Sequence, residues 1–256
     1  MSYMKNKIIT YKEMLVNPNS VCIFADCSFA RYDKPSIDEH NNSKLIGDTA
    51  PAICVYIGDY MVEQYFNIVR GITSQEGEHY AVLLAIQAAY KYRNFPHIRI
   101  FSDSSSTIGA IRERNIKYMY EEPDRLAKND QKFITEPMYD LIQFGIPIEF
   151  YHVSGHMSQK DKDVAHAKEV FEKNNPWVGE VDVPLIRYMI MGNCATDEYS
   201  TAMLKTYAKP SPTSMYKECR QAIQYFYRPL SKEQLNEYKR LTSYSKERWV
   251  DNHKFE

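Results

Sequence analysis

Two β-rich runs, residues 52 to 58 (AICVYIG) and 61 to 69 (MVEQYFNIV), are separated by Asp59-Tyr60 alone. Strands joined by so short a link pair antiparallel, as a hairpin. A third β-rich run, 21 to 30 (VCIFADCSFA), precedes them, and residues 31 to 50 between, rich in Asp, Asn, Ser and Lys, read as a long solvent loop. After Gly71 the period changes. The segment GEHYAVLLAIQAAYKY has the length and Ala/Leu content of a buried helix ending before Pro96. HIRIFSD at 97 to 103 is a short strand ending in an acid, and SSTIGAIRER continues as a helix. Residues 131 to 144 read as helical, IPIEFYHV at 146 to 153 as a strand, and 161 to 174 as a helix with Val164, Ala167 and Phe171 on one face. A hairpin-linked start followed by strand and helix alternation predicts an α/β fold, a mixed five-stranded sheet flanked by helices.

Beyond Asn175-Pro176 the pattern is helical only, with starts near Thr196, Ser214 and Ser231, the last supported by a capping box to Gln234. A boundary near 176 to 182 divides the chain into an N-terminal extension (1–19), an α/β domain (20–176) and a helical C-terminal domain (177–256). Residues 201 to 256 carry a net charge of +5, leaving −6 for residues 1 to 200, so a polyanion is expected to prefer the C-terminal part. Nine aromatic residues there, Tyr225-Phe226-Tyr227 and Trp249 among them, suit either base stacking or the packing of a small helical core.

Five cysteines without a C-x-x-C pair indicate neither a disulfide framework nor a zinc site, which fits a reducing compartment. No apolar run approaches the roughly 20 residues of a membrane span, and the N-terminus lacks the apolar core of a signal peptide. A cytoplasmic location and no membrane partner are expected.

Asp26 lies near the middle of the first strand, Glu78 opens the first long helix and Asp103 ends the fourth strand. In sheets of this kind strand ends and helix starts meet at one edge, where ligands bind. Carboxylate oxygens gathered there suit Mg²⁺ or Mn²⁺. Two such ions can activate a water and stabilise the leaving oxygen of an in-line displacement. Any single acid of this kind is more often a turn or cap residue.

The neighbouring residues are more specific. T-S-Q-E-G-E-H-Y-A at 73 to 81, F-S-D-S at 101 to 104, V-S-G-H at 153 to 156 and V-A-H-A at 164 to 167 follow one another in order. Together they resemble the type 1 ribonuclease H family over about residues 20 to 174. The resemblance implies a ribonuclease H-like catalytic domain that hydrolyses the RNA strand of an RNA/DNA hybrid with two Mg²⁺ or Mn²⁺ ions. It implies Asp26, Glu78 and Asp103 as metal ligands and His156 as a loop residue assisting proton transfer or product departure. Substrate contacts would fall on Ser28, Thr73, Ser74, Gln75 and Ser105.

The chain departs from the family pattern in several places. His166 stands where the family has its fourth acid; it, or Asp163 on the same helix face, would complete the metal site. Cys27 replaces the glycine that usually follows the first acid, and Ser105 stands where a minor-groove glutamine is frequent. Residues 116 to 132 balance four basic against four acidic residues, so a basic protrusion is missing or blunted. Two alternatives remain open: a 3′ to 5′ exonuclease of the same superfamily and a non-catalytic hybrid-binding module. His156 and Asp161 have the exonuclease's H-x₄-D spacing, but Asp26-Cys27-Ser28 lacks its Asp-x-Glu.

Overall fold

In a computed structural model, residues 10, 19–32, 36–37, 43–112, 148–208 and 224–228 are described. The elements are β1 (Ser20–Arg31), β2 (Ser36–Ile37), β3 (Ser43–Lys44), β4 (Gly47–Ile57), β5 (Tyr60–Ile72), α1 (Ser74–Lys91), β6 (His97–Ser102) and α2 (Ser105–Arg112). They continue with β7 (Ile148–His152), α3 (Asp161–Asn174), α4 (Val183–Tyr207) and β8 (Gln224–Arg228). The main sheet runs β7-β6-β1-β4-β5-β8. β7, β6 and β1 are parallel, and the remaining neighbours are antiparallel. The mixed five-stranded sheet expected from the sequence is therefore present, with β8 added at one edge.

Alternation along β1 decides which layer each residue joins, because successive side chains of a strand point to opposite faces. Val21, Ile23 and Ala25 pack with Ile53, Val55 and Ile57 beneath α1, whose Ala81 to Ile86 stretch is buried throughout. Cys22 and Phe24 face the other way, among Ala52, Cys54, Tyr56 and Phe101, covered by Phe171 of α3 and by Leu185, Ile186, Met189 and Ile190 of α4. Phe24 stacks on Phe101 with ring centroids 4.8 Å apart and meets Tyr56 edge-on at 5.6 Å. A ring buried this way stabilises the fold by about 1.5–3 kcal/mol. Gly192 of α4 lies against that ring, which fills the space a Cβ would need. Only glycine lets the helix backbone settle so close to the sheet.

Several expectations are corrected. The hairpin loop is Gly58-Asp59, since Ile57 pairs with Tyr60. The expected solvent loop at 31 to 50 is shorter, because β4 begins at Gly47 and its first residues are buried; the small β2–β3 ladder also falls within it. Asp48, sequestered there, accepts a hydrogen bond from Tyr32 and faces Arg70 at 4.0 Å. The helix expected near Thr196 starts at Val183, capped by Asp182, which accepts from the Leu185 amide at 3.0 Å, with Pro184 in its first turn. Residues 224–228, expected to be helical, form a strand because they pair with the otherwise open edge of β5. The border read near 176 to 182 falls between α3 and α4, which share one core with the sheet. The helix at 131 to 144, the loop at 116 to 132, the extension at 1 to 19 apart from residues 10 and 19, and the helix starts at Ser214 and Ser231 lie outside the described residues.

Candidate metal centre

Asp26 and Asp103 meet because of strand register. Ala25 pairs with Ser102 in the parallel β1/β6 ladder, so the residue after each of them is an aspartate, Asp103 coming where β6 ends. By alternation Asp26 points to the α4 face. Glu78 arrives from α1, whose start is fixed by a capping box: Thr73 Oγ1 accepts from the Glu76 amide at 3.2 Å, and Glu76 Oε2 accepts from the Thr73 amide at 2.8 Å. Of the two glutamates in T-S-Q-E-G-E, one is thus spent on the cap and the other is left for the cleft.

Ligand oxygens of Asp26, Glu78 and Asp103 lie within 4.8 Å of one another. Asp26 Oδ1 accepts from the Cys27 amide at 2.6 Å, whereas Asp26 Oδ2 and Glu78 Oε2 are buried without a hydrogen-bond partner. Burial and the Asp103 charge push Asp26 from 3.8 up to about 7. Burial and the Asp26 charge push Glu78 from 4.5 up to about 9. Asp103 is also raised by burial, opposed by His156 and by a hydrogen bond from Asn193. Buried, crowded carboxylates with orphaned oxygens are unfavourable alone and are what a hard dication relieves. The donor set, oxygen throughout, fits Mg²⁺ or Mn²⁺.

Behind Asp103, His152 Nε2 donates to the Asp103 carbonyl at 3.1 Å while its Nδ1 accepts from Asn174 at 2.9 Å, which holds the strand end in place. His156 is exposed, with Nδ1 3.8 Å from Asp197 Oδ2, and has a positive φ of 52°, a conformation that costs a non-glycine residue about 1–2 kcal/mol.

The remaining expected site residues lie outside the three-acid group. Asp163 accepts from the amide and hydroxyl of Ser158, which hold its carboxyl below the usual range, and it closes the start of α3 rather than entering the acid group. His166 is exposed on α3 and also outside that group. Ser28 is engaged by α4: its amide donates to Ser200 Oγ at 2.7 Å and its hydroxyl pairs with Thr201 Oγ1 at 2.7 Å. Thr73 is the cap, while Ser74, Gln75 and Ser105 are exposed.

Sequence reasoning expected a helix near Thr196 but missed its place at the site. Asn193, Asp197 and Thr201 recur at helical spacing on α4, and Asp197 and Thr201 line a cleft of about 570 Å³ together with Asp26, Glu78, Asp103 and His156. The available signal was the polar series Asn193, Thr196, Asp197, Ser200 at helical spacing after a mostly apolar first half of the helix; Asn193, Thr196 and Ser200 are buried.

No family model matches the chain, and no curated protein matches it. Among solved structures, prototype foamy virus protease–reverse transcriptase is 14% identical, with a TM-score of 0.43, covering 62% of this chain. The chain spans about a fifth of that protein, the matched share being 20%. The PFV RNase H domain is 16% identical, with 63% of this chain and 96% of that one covered and a TM-score of 0.38. LC11-RNase H1 in complex with an RNA/DNA hybrid is 13% identical, with 60% and 94% covered and a TM-score of 0.38. By its own strand order, strand directions and helix placement, the described part of the chain has a ribonuclease H-like fold, with three carboxylates gathered where strand β6 ends beside β1.

Proposed function

We propose that the protein is a metal-dependent endonuclease that hydrolyses the RNA strand of RNA/DNA hybrids. The observation that carries this reading is the Asp26, Glu78 and Asp103 group, whose oxygens lie within 4.8 Å of one another with two of them buried and unpartnered. These three residues would hold divalent ions, and the chemistry supplied on binding is activation of a water and stabilisation of the leaving oxygen in an in-line displacement. The chain's own contribution is placement. Register fixes the two aspartates, the capping box fixes Glu78, and the sheet excludes bulk water from their inner oxygens. His156, exposed at the cleft mouth, stands where it can pass a proton to or from solvent. Ser74, Gln75 and Ser105 offer exposed polar groups to a hybrid, whereas Ser28 and Thr73 spend theirs within the fold.

The test is digestion of a hybrid labelled on each strand, with Mg²⁺, with Mn²⁺ and with chelator. Cleavage inside the RNA strand alone, lost on chelation, is the expected result. Trimming from a 3′ end of DNA would favour the exonuclease reading, and hybrid binding without cleavage in either metal the binding-module reading.

A further inference from the structure

Helix α4 lies beyond the stretch that resembles the ribonuclease H family, yet it brings another carboxylate to the cleft. Asp197 lines the same cavity as Asp26, Glu78 and Asp103, and its charge contributes to the upward shifts of Asp26 and Glu78. It stands outside the group held within 4.8 Å, on the side where His156 Nδ1 lies 3.8 Å away. Facing it in the cavity, Asp26 is only 6% exposed and keeps one carboxylate oxygen unpartnered.

We propose that Asp197 is the fourth carboxylate of the metal centre and that it creates a second cation position on the α4 side of the Asp26/Glu78/Asp103 group. This rests on the metal-dependent nuclease reading. In two-ion sites the ions sit roughly 3.5–4 Å apart, so a further carboxylate beside the compact group is placed to help hold the second ion. On α3 the sequence-derived alternatives do not compete, since Asp163 is committed to Ser158 and His166 is exposed.

Asp197 is also held in register with the site. One turn before it the buried Asn193 stands close enough to the Asp103 carboxylate to oppose its upward shift. One turn after it Ser200 donates to the Ala50 carbonyl and accepts from the Ser28 amide, and Thr201 pairs with the Ser28 hydroxyl. These contacts tie both flanks of Asp197 to the elements that carry the acids, as a metal ligand requires.

The experiment is titration of the metal-free full-length protein with Mn²⁺, read by calorimetry and by the signal of free Mn²⁺. Wild type is expected to bind two ions, Asp197→Asn one, and Asp197→Glu, which keeps the charge, two. Asp163→Asn and His166→Ala should each bind two. Asp197→Ser gives the same readout if the amide variant does not fold. Two ions bound by Asp197→Asn and Asp197→Ser with wild-type affinity would overturn the assignment while leaving the nuclease reading intact. A wild-type protein that binds no Mn²⁺ would overturn both.

Discussion

Gly155 sits so close to Asp103 that a Cβ on the glycine would overlap the carboxylate Oδ2 and lie 3.0 Å from Cγ. The loop that bears His156 therefore presses its backbone against one of the three clustered acids, and the glycine sets where that acid can point. Gly155→Ala is expected to displace the Asp103 carboxylate and slow cleavage on the order of a hundredfold, the effect of a misplacement near 1 Å. Thermal melting should change little, because the overlap is relieved by moving one side chain at the cleft mouth. Wild-type turnover in this variant would show that the Asp103 geometry has slack.

Asp103→Asn keeps the shape of the side chain and removes the charge that would hold metal. Cleavage of a hybrid should fall by orders of magnitude with the fold intact by circular dichroism. Unchanged turnover would contradict the assigned centre.

The raised acids make stability and metal binding depend on pH. With Asp26 moved from 3.8 to about 7 and Glu78 from 4.5 to about 9, the metal-free folded state holds protons that the unfolded chain has already released. Their contribution to stability is then present below about pH 4 and is lost as pH rises through about 7 and 9. The melting temperature of metal-free protein should decline across that window. The double variant Asp26→Asn, Glu78→Gln should lose most of the decline. Mn²⁺ binding at pH 7 should release protons, detectable as a dependence of the calorimetric heat on buffer ionisation enthalpy. A melting profile that is the same in wild type and double variant would refute this account of the two acids.

Helix α4 is part of the core that positions the site. Gly192→Val would drive a side chain into the Phe24 ring and should destabilise the protein by about 1–3 kcal/mol in chemical denaturation. Ending the chain at residue 182 removes Leu185, Ile186, Met189 and Ile190 from their contacts with the sheet, so the truncated protein should be unfolded or aggregated by circular dichroism and gel filtration. A soluble, cleaving product of that truncation would show that the sheet folds without α4.

Ending the chain at Ala208 instead keeps α4 and removes most of the basic, aromatic C-terminal stretch. Hybrid affinity should then weaken and its salt dependence flatten, because fewer counterions are released on binding. An unchanged salt slope would assign that stretch a role other than holding phosphates.

The strands, the first helix and the triad acids were legible because they rest on local chemistry. Strand patterning carries Asp26, an acid closes HIRIFSD, and an Ala/Leu-rich run marks the first helix, whose start the structure moves forward to Ser74 behind the Thr73–Glu76 capping box. Parallel pairing of Ala25 with Ser102, which turns two distant aspartates into neighbours, follows from strand order but is a register that no local pattern specifies. The fate of α4 was not legible either. Its apolar residues suit a separate helical core as well as one face of the sheet, and only packing against Phe24, permitted by Gly192, brings Asn193 and Asp197 to the acids. Asp163 and His166 fitted the helical spacing equally well. The structure turns them away because a short polar side chain reaches what its own helix end offers first, here Ser158, while His166 faces solvent on α3. Sequence determined the five central strands, the first helix and three acids that could meet; tertiary packing decided that residues 224–228 join the sheet and which helix stands over the acids, because side-chain burial is non-directional and long-range contacts leave no periodic trace along the chain.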